Sequence, residues 1–132
     1  MIVDTSAWVE YLRATGSPLD LHLQQALRQG RTILLPSVVL QEVLQGARAP
    51  SHYMALLREL EQLTVFDPLD VHELHRQAAL LYARCRWQGV TVRSPIDCVV
   101  AACALEADMP LLARDRDFSE ICRIEPKLKL IS

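Results

Sequence analysis

The chain has 132 residues, 51% of them hydrophobic. That length suits one domain with a real core, and that composition excludes a disordered or low-complexity chain. The net charge of −2 announces no global basic field for nucleic acid, and no apolar run approaches the roughly 20 residues of a membrane span.

The opening run Met1-Ile2-Val3 reads as a short buried strand over residues 1–4. It lacks the basic region and cleavage signature of a signal peptide, which predicts a cytosolic protein. From Ser6 to about Ala14 the pattern is helical, with Trp8, Val9 and Leu12 on one side; Gly16-Ser17-Pro18 breaks it. Residues 19–29 read as a second helix ending at Gly30, a good residue after a helix C-terminus. Thr32 to Leu35 is a second strand, and Pro36-Ser37 opens a helix through about Ala47. Ser51 is expected to cap a helix to Leu63, ahead of a third strand at Thr64-Val65-Phe66. Asp70-x-x-Glu73 is a capping-box pattern that starts a long helix to about Gln88, ended by Gly89. Ser94-Pro95 opens the next helix, which runs to Ala107 and is apolar nearly all round, so it should be buried. Met109 to Ala113 is a strand, Asp117 to Glu120 starts a short helix, and Leu128 to Ile131 is an edge strand blunted by Lys129. Strands alternating with helices predict one domain over residues 1–132. Its expected class is a three-layer α/β/α fold with a short, mostly parallel sheet of four or five strands and right-handed crossovers.

Four acids stand at the mouths of these elements: Asp4, Glu42, Asp97 and Asp115. If the strands before Asp4 and Asp115 are parallel neighbours, both carboxylates emerge at the carboxyl end of the sheet, where open α/β folds place ligands. Like charges held together repel, and Mg²⁺ or Mn²⁺ is the natural compensation. Each acid also has a structural reading. Asp4 could cap its helix, but Thr5 and Ser6 can do that job, which leaves Asp4 for the sheet edge. Glu42 could be a solvated residue on the outer face of its helix. Asp97 completes a Ser-x-x-Asp capping pattern, and the helix dipole is expected to lower its pKa and keep it ionised. Asp117 fits the cap of its helix better than Asp115, so Asp115 is the preferred ligand and Asp117 the second choice.

Cys85, Cys98, Cys103 and Cys122 lack metal spacing and read as buried, reduced thiols. His72 and His75 share a helix face, but a solvated pair is the simpler reading. Twelve of the fourteen basic residues are Arg, which suits bidentate phosphate recognition. Arg84, Arg86, Arg93, Arg114 and Arg116 cluster in sequence around the last two acidic motifs and are the candidates for gripping phosphates.

Four segments together resemble the PIN domain family, and specifically its VapC-type toxin branch. They are Asp4-Thr5-Ser6-Ala7-Trp8, Pro36 to Val43, Asp97 to Ala102, and Leu111 to Phe118. The resemblance implies an endoribonuclease dependent on one or two Mg²⁺ or Mn²⁺ ions, with Asp4, Glu42, Asp97 and Asp115 as metal-binding acids. It implies that Thr5 and Ser6 are hydroxyls beside the metal. It also implies a homodimer, for which the apolar helices near residues 38–63 are candidates, and a small co-encoded antitoxin of the VapB type that blocks the acidic pocket. Two positions depart from the pattern: Ala113 stands where Thr is common, and Asp115 where Asn is common.

Rival readings are weaker. A phosphoacceptor receiver domain needs an adjacent acidic pair after strand one and a Lys after the last strand. A haloacid-dehalogenase-like phosphatase needs Asp where Ser6 stands. A degenerate PIN-like module that binds RNA or protein without cutting has the same fold.

Overall fold

The computed structural model describes residues 1–132. Five strands and seven helices follow the order β1 (Ile2–Val3), α1 (Thr5–Leu12), α2 (Pro18–Arg28), β2 (Leu34–Leu35), α3 (Ser37–Gln45), α4 (Pro50–Glu61), β3 (Thr64–Val65), α5 (Val71–Trp87), α6 (Pro95–Ala107), β4 (Leu111–Leu112), α7 (Asp115–Ile124) and β5 (Leu130–Ile131). The strands form one sheet in the order β3-β2-β1-β4-β5, and every neighbouring pair is parallel. None of the helices is long and apolar enough to cross a membrane.

The strands are shorter than the apolar runs that contain them. Ile2 pairs with both Leu34 and Leu111, and Val3 with Leu112. All four residues of β1 and β4 are fully buried. Right-handed crossovers then dictate the layers. The chain moves one way from β1 through β2 to β3, so α1 to α4 cover one face. It returns across the sheet to β4 and β5, so α5 to α7 cover the other. The reversal falls between β1 and β4, which makes the crevice beyond their carboxyl ends the place where a parallel sheet of this kind holds a ligand.

Most helix signals act as read. Asp70 accepts hydrogen bonds from the N–H groups of His72 and Glu73. Ser94 caps α6, with Pro95 at its first position, and Cys98 through Ala104 are buried. Gly30 and Gly89 take positive φ just past helix ends. Two starts differ. α4 begins at Pro50 after Ala49, with no side-chain cap, so Ser51 lies inside the first turn; the fixed φ of Pro50 sets the start. α7 begins at Asp115 rather than Asp117, with Arg114 as its N-cap. That shift of two residues matters at the site.

The core joins 34 buried residues, including Trp8, Phe118, Leu111 and Ile121. Leu111 is wholly buried, so Leu111→Ala should cost about 2–5 kcal/mol. Leu69, 96% exposed, should change stability by less than about 0.5 kcal/mol on the same truncation. Urea denaturation of the two variants checks the layering; equal losses would contradict it.

Candidate metal centre

Asp4 is the first residue past β1. Its N–H donates to the Leu112 carbonyl at 2.9 Å, which ties it to β4. Its side chain is only 5% exposed. Asp4 itself, not Thr5 or Ser6, is the N-cap of α1: its Oδ2 accepts the Ser6 N–H at 3.0 Å and the Ser6 hydroxyl at 2.6 Å. Capping and facing the crevice are therefore one job here, because the helix begins at the sheet edge. The Ser6 Oγ also accepts the Arg114 N–H at 3.1 Å, so one hydroxyl spans the ends of both central strands.

Glu42 comes from α3, which β2 delivers from the same edge. The Thr5 hydroxyl donates to Glu42 Oε1 at 2.7 Å. Thr5 and Ser6 thus each hold one carboxylate in place.

Asp97 is the third residue of α6 and half-buried. Ser94 caps the helix, yet the Asp97 carboxylate makes no hydrogen bond or ion pair with the protein. Its pKa is pushed up to about 7, first by burial, then by the charges of Asp4, Asp117 and Glu42. The expectation that the helix dipole lowers this pKa is therefore wrong: desolvation and three neighbouring carboxylates outweigh a partial charge. Burial likewise raises the Asp4 pKa, and Asp117 adds to the rise, against the hydrogen bonds from Ser6.

The fourth carboxylate that presses on Asp4 and Asp97 is Asp117, not Asp115. Positions 115 and 117 lie about 200° apart around a helix, so only one can face the crevice. Asp115 is exposed, and the charge it imposes falls on Cys122. Because α7 starts at Asp115, Asp117 is not a cap and its side chain, 20% exposed, turns toward the acids. The dipeptide spacing alone could not decide this; the helix phase, set by buried Phe118 and Ile121, does.

The donor set fits a hard divalent cation in chemistry, being all carboxylate with two hydroxyls behind it. It also fits in charge, since no basic side chain is paired with Asp4, Glu42 or Asp97. As placed, no three of these side chains stand within coordinating reach of one point. Of the arginines singled out above, Arg93 lies 3.9 Å and Arg116 3.7 Å from Asp117. Arg114 pairs with Glu10 at 3.2 Å. Arg84 is committed elsewhere, to Glu125 and the Ile124 carbonyl at the far end of α7. Arg86 is exposed and unpaired. His72 and His75 are exposed, with no metal grouping. The four cysteines are free, and burial pushes Cys98 and Cys103 up to about 12, so these two thiols are inert.

The chain is similar to known proteins along nearly its whole length. The PIN domain family matches residues 1–124. The chain is 38% identical over 128 residues to VapC ribonuclease Mb1587 of Mycobacterium bovis, covering 94% of this chain and 92% of that protein. It has the same identity and coverage against ribonuclease VapC11 of Mycobacterium tuberculosis. The crystal structure of VapBC2 from Rickettsia felis, bound to a DNA fragment from its promoter, contains a chain of the same fold. It superposes with a TM-score of 0.76 at 19% identity, over 98% of this chain and 96% of that one.

The raised pKa of Asp97 makes a stability prediction. A carboxyl raised in the folded state favours its protonated form there. Its contribution is full below the ordinary carboxylate pKa and is lost as pH rises through about 7. In EDTA, Asp97→Asn should therefore melt higher than the wild type at pH 8 and lose most of that advantage by pH 4. Calorimetry at both pH values tests it; an equal difference at both would rule out the charge coupling.

Proposed function

The chain belongs to the PIN domain family, and on that premise we propose that it is a metal-dependent endoribonuclease of the VapC type. It acts as the toxin of a toxin–antitoxin pair in the cytoplasm and is held in check by a small antitoxin. The observation that carries the reading is the gathering of Asp4, Glu42, Asp97 and Asp117 at the switch point between β1 and β4, in a chain 38% identical to proteins named as VapC ribonucleases.

In this reading Asp4, Glu42 and Asp97 hold Mg²⁺ or Mn²⁺, with Asp117 completing the set and Asp115 outside it. When bound, the ion supplies Lewis-acid stabilisation of the phosphodiester and makes a water more acidic. The chain's own residues do the rest. Ser6 orients the Asp4 carboxylate and Thr5 orients Glu42. Arg93 and Arg116 are mostly exposed at the Asp117 rim, where their guanidiniums can leave a weak surface pair for an RNA phosphate. Arg84 is set aside from that role because it is tied to Glu125 and the Ile124 carbonyl at the far end of α7. Single-stranded or looped RNA suits this reading, because its bases are unstacked and accessible. A basic residue of the antitoxin entering the four-carboxylate pocket would neutralise it, and homodimerisation is consistent with the exposed Tyr53 and Met54 on α4.

The test is cleavage of a mixed RNA pool by antitoxin-free protein with Mg²⁺ or Mn²⁺ and with EDTA. Cleavage should need metal. Asp4→Asn, which keeps a capping amide oxygen, and Asp117→Asn should each lose at least about 100-fold, the upper range for removing an outer partner of a metal site. Asp115→Asn should stay within about threefold, as an exposed change does. If Asp115→Asn is inactive and Asp117→Asn is not, the assignment of the fourth acid is wrong. Metal-independent cleavage would sink the mechanism.

A further inference from the structure

A second feature adjoins the acidic centre on its Glu42 side. A cleft of about 170 Å³ lies between α1, α3 and the start of α4. Buried Val43 and Leu56 give it an apolar floor, and Glu42 stands in its wall, so cleft and centre share a side chain. Arg13 and Arg48 line it, both exposed. Neither is paired with a carboxylate, whereas the arginines around Asp117, Glu10 and Glu125 all are. The backbone N–H of Arg48 donates to His52 Nδ1 at 3.1 Å, which anchors the chain at that point of the rim. The volume falls below the roughly 300–1,000 Å³ typical of sites that enclose a whole drug-sized ligand. It suits one ring system of a longer ligand anchored elsewhere.

An apolar slot for a flat face, two free guanidiniums for phosphate, and continuity with a carboxylate centre match one chemistry. We infer that this cleft is a nucleotide subsite. It takes the base next to the phosphodiester that lies over the carboxylates, while Arg13 and Arg48 hold the adjoining backbone phosphate. The inference rests on the ribonuclease reading. It gives the substrate a path: the strand enters over Arg93 and Arg116 on the Asp117 side, crosses the acids, and leaves through the cleft.

Gly46 gives a way to close the slot. It lines the cleft with ordinary helical φ, and an added Cβ would meet only the carbonyls of Val43 at 3.4 Å and Glu42 at 4.0 Å. Gly46→Leu should therefore fold and fill the space. The full chain is titrated into a fluorescein-labelled pool of short single-stranded RNAs, with Ca²⁺ in place of Mg²⁺ to keep the strands whole, and read by anisotropy. Gly46→Leu should weaken binding about tenfold, the scale of one stacked base, and raise KM for cleavage with kcat retained. Arg48→Gln, an exposed change that decides the matter should Gly46→Leu melt early, should weaken binding about threefold and flatten its salt dependence. RNA binding unchanged in Arg48→Gln and in folded Gly46→Leu overturns the inference. So does loss of antitoxin binding with RNA binding intact, which would assign the cleft to the protein partner. Wild-type protein that binds RNA but never cuts it would sink the ribonuclease reading and leave the subsite standing.

Discussion

The site depends on the pairing of β1 with β4. The two strands contribute two residues each, so few backbone hydrogen bonds hold their register. A slip of one residue would turn Ile2 and Leu111 away from their layer and carry Asp4 off the crevice. Burial prevents this, because Ile2, Val3, Leu111 and Leu112 are all enclosed. The Ser6 hydroxyl then locks the strand ends. It donates to Asp4 and accepts from Arg114, across 108 positions of sequence. Three of the four acids take their place from that seam, Asp4 from β1, Asp117 from the helix that follows β4 and Glu42 through Thr5, while Asp97 comes from the start of α6.

The carboxylates are held where their charges are least welcome. Asp4 is nearly enclosed, and Asp97 is crowded by three like charges. Such an arrangement is destabilising unless it is offset, and the protein offsets it only in part. Ser6 and the start of α1 solvate Asp4, Thr5 solvates Glu42, and Arg93 and Arg116 stand by Asp117. Asp97 has no such help. A half-buried carboxyl pressed by like charges in a crevice is a common mark of a functional site.

Net charge is a poor guide to this surface. The chain is slightly acidic overall, yet its cations are divided between different tasks. Arg84 and Arg114 brace helices against one another or against a carboxylate. Arg93 and Arg116 rim the acids, and Arg13 and Arg48 remain unpaired beside the cleft. A polyanion meets local fields of a few side chains, not the sum over the molecule.

Much of this was legible in the sequence. The alternation of apolar runs and helix caps gives the α/β class, the parallel sheet and the order of its elements, because Ser94-Pro95, Asp70-x-x-Glu73 and the glycines act locally. The motifs likewise mark Asp4 at a strand end and Asp97 at a helix start, which are local events, while Glu42, the sixth residue of α3, is marked only by the resemblance. Helix phase and environment are not local. That Asp117 rather than Asp115 faces the acids depends on where α7 begins and which of its residues the core claims. That the Asp97 pKa rises instead of falling depends on three carboxylates from other segments. That Arg84 serves structure while Arg48 lines a cleft depends on what the fold sets beside each. The sequence by itself determined the elements and the acids at their ends, through spacing and capping; only the tertiary structure decided which charges meet, because Coulomb energy and desolvation depend on distance and burial, which the order of residues does not contain.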